Sequence, residues 1–192
     1  MNLLQRACSG SFTYSSKASS LPGSGGTCGL GIAKVPSAFA LNWMKTWFQI
    51  SIQRGLELFN SETLECYHCH AGFNFADSVT HASAGVADAP FHNTGLYNLD
   101  GNGAYPAGNT GLIEVTGRAG DMGRFRAPSL RNVTVTAPYM HDGRFATLDQ
   151  VIDFYDRGGD KSQQTGLKPL GLTIDEKRQL VAFLESLSTE PV

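Results

Sequence analysis

Cys66 and Cys69 stand three positions apart with a histidine directly after, in the run Cys66-Tyr67-His68-Cys69-His70. Two thiols at that spacing on one helical turn can each add to a vinyl group of the same haem, and the next imidazole then reaches the iron. The chemistry implied is covalent c-type attachment of one haem through Cys66, Cys69 and His70. Structural zinc needs four ligands, and no second cysteine pair has metal spacing. A thioredoxin-like pair needs a surrounding βαβ pattern, which is absent. His68 reads as a spacer inside the motif. His81 and His92 sit in polar stretches and read as surface or hydrogen-bonding residues, while Cys8 and Cys28 carry little information.

The group on the far side of the iron separates an electron carrier from a catalyst, because the axial ligand sets potential and access. Met122, Met140, His141 and Tyr155 are the candidates. A thioether stabilises ferrous iron and a phenolate favours the higher oxidation states. Met140, in Pro138-Tyr139-Met140-His141-Asp142-Gly143, suits the first role by composition, and Tyr155 can equally be a core aromatic on an amphipathic helix. The residues alone leave the choice open.

The elements that must position these groups are mostly helical. From Leu41, the residues Trp43, Met44, Trp47, Phe48, Ile50, Ile52, Leu56, Leu58 and Phe59 recur at three- and four-residue spacings, predicting a helix that delivers the chain to Cys66. Residues 71–146 are punctuated by Gly, Pro, Asn and Asp, predicting long loop with short helical turns, and a loop of that length needs an object to wrap around. Thr147-Leu148-Asp149-Gln150 is a capping-box pattern that starts a helix closed by Gly158-Gly159, with Leu148, Val151, Ile152 and Tyr155 on one face. Thr173-Ile174-Asp175-Glu176 starts a last helix running to about Leu187. Gly55 has no side chain and would let that helix cross closely over the one before Cys66. The expected fold is mostly α, a cytochrome c-like haem domain with long irregular loops.

A length of 192 residues suits one domain plus an irregular segment, expected as a poorly defined, disordered or non-native leader over 1–45 and the haem domain over 46–192. Fifteen basic and seventeen acidic residues give a net charge of -2, which argues against a nucleic-acid partner. No stretch of eighteen apolar residues exists to span a membrane, and Met1–Ala7 shows no signal-peptide pattern.

From about Gln53 to Leu187 the chain resembles the second haem domain of the bacterial di-haem cytochrome c peroxidase and MauG superfamily, in its MauG- and MbnH-like branch. The resemblance is carried by Arg54-Gly55-Leu56-Glu57-Leu58-Phe59, the Cys66–His70 run, Phe91-His92-Asn93-Thr94-Gly95-Leu96, Gly123–Asn132, Thr136–Leu148 and Thr173–Leu187. It implies a distal ligand fourteen residues beyond the histidine of His-Asp-Gly, which here is Tyr155, and it makes Met140 a packing residue. The haem would then store an oxidising equivalent and relay electrons to a separate peroxide site. The resemblance also implies calcium held partly by the backbone carbonyls of Thr136 and Pro138, haem propionates paired with Arg126 and Arg131, and a periplasmic location. The family's first haem domain has no counterpart in residues 1–50, so that domain or an equivalent is an expected partner, beside an electron-donor protein or protein substrate. A mono-haem electron carrier and an inactive fragment are the alternative readings.

Overall fold

The computed structural model describes residues 37–78, 90–160 and 166–189, with side chains from residue 42. His81, Cys8, Cys28 and most of the expected leader lie outside these residues. Among the described residues the helices are α1 (Ser37–Phe59), α2 (Ile113–Thr116), α3 (Leu148–Asp156) and α4 (Ile174–Ser186). Single 3-10 turns lie at Cys66–His68, Ala119–Asp121 and Val133–Val135, and no strand occurs among the described residues. The long middle is loop with short turns, as its Gly and Pro content predicts.

Helix α4 crosses α1 at Gly55, and the crossing requires that glycine. A Cβ built there would overlap the Gln179 carbonyl and come within 2.7 Å of the Phe183 Cβ. Below the crossing, Phe59, Val133, Leu148, Ile152, Leu180, Phe183, Leu184 and Leu187 form one buried cluster. Phe75 enters it from the loop after His70, its ring centroid 6.1 Å from Phe59 and 5.9 Å from Phe183.

Both capping boxes are formed. Thr147 accepts from the Gln150 amide and Thr173 from the Glu176 amide, and each N3 side chain reaches back to its cap. Thr173→Ala is expected to lower stability by about 1 kcal/mol, read as a shift in the urea midpoint with an unchanged slope.

The face of α3 differs from the predicted one. Phe154 is its most deeply buried residue, beside Leu148 and Ile152, whereas Val151 is only half-buried. The helix lies between two clusters: Leu148 and Ile152 join the first, and Phe154 centres a second with Leu96 and Tyr105. A helix buried on two sides loses a clean single-stripe pattern. The outer part of α1 is not core, since Trp43, Met44, Trp47 and Phe48 are all exposed.

Candidate functional site

Helix α1 ends at Phe59, and Glu65 in a left-handed conformation (φ 55°) turns the chain into the 3-10 turn that carries Cys66. The Cys66 carbonyl accepts from the amides of Cys69 and His70, so both thiols and the imidazole leave one tight turn. Both cysteines are free and half-buried. Burial pushes the Cys66 and Cys69 thiols up to about 11, and the Asp77 carboxylate adds to the rise at Cys69.

His70 is oriented by backbone. Its Nδ1 lies 3.0 Å from the Phe75 carbonyl, a bond in which Nδ1–H donates. Burial lowers its pKa, while the Phe75 and Pro128 carbonyls act in the opposite sense. A neutral imidazole with one nitrogen tied to a carbonyl is the form in which histidine ligates a metal. The carbonyl of Phe75 is itself fixed, because the Phe75 ring is wedged between Phe59 and Phe183 and its backbone is held at φ 51°. Arg131 braces the same loop. Its guanidinium lies 4.9 Å from the Phe73 and Phe75 ring centroids and donates from Nε and Nη2 to the Phe73 carbonyl at 3.0 and 2.7 Å.

Behind the motif is a pair with no signature in the sequence. Residues 92 and 125 exchange backbone hydrogen bonds of 2.7 and 2.8 Å, which swings His92 toward Asp77, and Nε2 meets Oδ2 at 2.5 Å. The Asp77 amide donates to the Cys69 carbonyl, and Asp77 Oδ1 is buried without a hydrogen-bond partner. His92 is therefore a hydrogen-bonding residue, as expected, and its partner is next to the attachment run.

Of the four candidates for the far side, Tyr155 is half-buried near the motif. Burial raises its phenol well above the usual tyrosine range, and the Cys69 and Cys66 thiols and Tyr105 add to that rise. Met122 and Met140 pack in the same aromatic cluster as Tyr155. His141 is turned outward: it is exposed, stacked on Phe125 at 3.8 Å, with Nε2 2.5 Å from the Asn109 amide oxygen. Helix α3 is clamped behind Tyr155 by Lys177 of α4, whose Nζ lies 2.8 Å from Asp153 and 2.6 Å from Asp156.

Arg126, Thr136 and Pro138 are exposed, and the Arg126 guanidinium lies 5.1 Å from the Phe91 ring centroid. No group of three or more His, Cys, Asp or Glu able to hold a metal ion occurs among the described residues. No helix among them is long and apolar enough to cross a membrane.

No family model matches the chain. A cytochrome c peroxidase, IdrP1 of Pseudomonas sp. (strain SCT), is 40% identical over 176 residues, covering 83% of this chain and 46% of that protein. MauG, a methylamine utilization protein of Methylorubrum extorquens, is 34% identical over 143 residues, covering 72% of this chain and 35% of its own length. The crystal structure of a MauG-like protein associated with microbial copper homeostasis superposes with a TM-score of 0.71 at 47% identity, over 73% of this chain and 44% of that one. The chain thus spans about half the length, or less, of these relatives. Such relatives imply a c-type haem, in agreement with the Cys66–His70 run, and the mostly helical fold is that of a MauG-like cytochrome c domain. This chain belongs to the di-haem cytochrome c peroxidase and MauG superfamily of oxidoreductases.

Proposed function

We propose that this chain is the electron-relay haem domain of a periplasmic, peroxide-dependent oxidoreductase. Cys66 and Cys69 would carry one haem, with His70 and Tyr155 as the residues that would ligate its iron. The observation that carries the reading is the placement of Tyr155, which α3 brings near Cys66 and Cys69 and packs against the Leu96, Tyr105 and Phe154 cluster. His70 is oriented by the bond from its Nδ1 to the Phe75 carbonyl. The residues present therefore suit a haem with two protein ligands.

The bound haem supplies reversible one-electron chemistry. The chain's own residues orient the imidazole through the Phe75 carbonyl, fix α3 through the Lys177 clamp, and pack Tyr155 against Leu96, Tyr105 and Phe154. A haem held by both residues would offer peroxide no open position on its iron. Peroxide is handled in a first haem domain or an equivalent partner, and electrons arrive from a donor protein or a protein substrate.

Arg126 and Arg131 are assigned to the haem propionates. A guanidinium carries five N–H donors, more than the two bonds from Arg131 to Phe73 use. The carbonyls of Thr136 and Pro138 are assigned to calcium. They supply two of the roughly six to eight oxygens such an ion takes, so the remainder come from water or the partner domain.

The ferric spectrum of the haem-loaded protein tests the assignment. Tyr155→Phe is expected to abolish the tyrosinate signature and change the spin state. A methionine-to-iron charge-transfer band that persists unchanged in Tyr155→Phe would show that the ligand is a methionine and the protein a simple electron carrier. Steady peroxide turnover by this chain alone would contradict the relay reading.

A further inference from the structure

Tyr67 is the aromatic residue of the attachment run. It stands between the two haem-bearing cysteines, its ring packed on the main core cluster beside Cys66. Its hydroxyl donates to Glu62 Oε1 at 2.6 Å. The Nε2 of His68 lies 2.9 Å from the same phenolic oxygen, the two rings edge to face at 4.4 Å. With the phenolic hydrogen directed at Glu62, the His68 contact is an N–H donation to the phenol oxygen.

A phenol gives up an electron readily only when its proton can leave with it, because the protonated radical is a strong acid. The tyrosines differ in what they offer that proton. Tyr105 donates to the amide oxygen of Asn93, which is not a base. Tyr97 donates to Asp142, a carboxylate already bound to Arg144 at 2.7 Å and so a weak proton acceptor. Tyr67 donates to a surface carboxylate and lies one residue from a thioether-forming cysteine.

We propose that Tyr67 is a redox-active tyrosine that passes single oxidising equivalents from the haem to a reductant at the protein surface, with Glu62 as its proton acceptor. This rests on the oxidoreductase reading above. One electron leaves the phenol for the haem, which hydrogen peroxide has carried above the ferric level through the partner haem domain. The phenolic O–H bond breaks, its proton joins the Glu62 carboxylate as a neutral acid, and a neutral tyrosyl radical remains, held by the His68 N–H. A one-electron reductant, such as a reduced protein or an electron-rich aromatic side chain, returns the electron, and Glu62 returns the proton.

The test uses the haem-loaded full chain, oxidised by flash-generated ruthenium(III) tris-bipyridine, with freeze-quench electron paramagnetic resonance as the readout. The oxidant comes from outside, so a chain without peroxide activity, or with a ligand other than Tyr155, still answers the question. The expected result is a tyrosyl signal that Tyr67→Phe abolishes while the haem spectrum is unchanged. Glu62→Gln keeps the phenol, and radical formation is expected to slow several-fold and to lose most of its solvent deuterium isotope effect. A signal that survives Tyr67→Phe, or disappears only in Tyr97→Phe or Tyr105→Phe, would overturn the proposal. If Tyr67→Phe fails to load haem, the Glu62→Gln rate decides: an unchanged rate overturns the proposal as well.

Discussion

Replacing Gly55 by alanine is expected to destabilise the protein by about 2–3 kcal/mol, the size typical of overpacking at a tight contact. The sign is the informative part. In an ordinary helix the same change would stabilise by roughly 1 kcal/mol, because glycine is the poorer helix former. Here a Cβ would overlap the Gln179 carbonyl, a backbone atom of a capped helix that cannot swing aside as a side chain can, and press on the Phe183 Cβ at 2.7 Å. The loss should appear as a lower urea midpoint of the haem-loaded protein, and Gly55→Leu should yield no folded protein. A more stable Gly55→Ala would mean that α1 and α4 do not cross at this point.

The second large effect concerns the attachment itself. Cys66→Ala combined with Cys69→Ala is expected to remove all covalent haem, seen as loss of haem staining in a denaturing gel, with each single variant keeping one bond and partial staining. The haem-free wild-type chain offers a complementary check. Its two thiols are raised to about 11 by burial, so both are protonated at neutral pH. Since the thiolate is the nucleophile, alkylation of Cys66 and Cys69 should quicken with each unit from pH 7 toward 10 rather than level off near 8.5, the ordinary thiol value. A plateau by pH 9 would show that the site is open to water without haem.

Much of this was legible in the chain because it is written locally. A capping box needs only a threonine and a Gln or Glu three residues on, and both boxes are formed as read. Gly55 was legible as a point of close approach because an interior helix glycine carries a propensity penalty that a crossing explains. The attachment run is contiguous. What escaped depends on chain segments meeting in space. Asp77 reaches His92 only because residues 92 and 125 pair across an irregular loop, where neither period of two nor period of 3.6 announces contact. Phe75 was invisible as a support for His70, since its part is played by a carbonyl that any residue possesses. Phe154 lies outside the predicted stripe because α3 is buried on two sides, so its best-covered residue points away from the main core.

Helix α4 touches both halves of the site. It crosses α1, which leads into the cysteine run, and its Lys177 grips α3 on either side of Tyr155. The helix contacts that place the cysteine turn and Tyr155 are thus shared through α4. With His70 and Tyr155 as the proposed ligands, an iron centre held in such a frame would change charge with little movement of its bonds. Its inner-sphere reorganisation energy would then be low, and exchange of an electron fast even when the driving force is small.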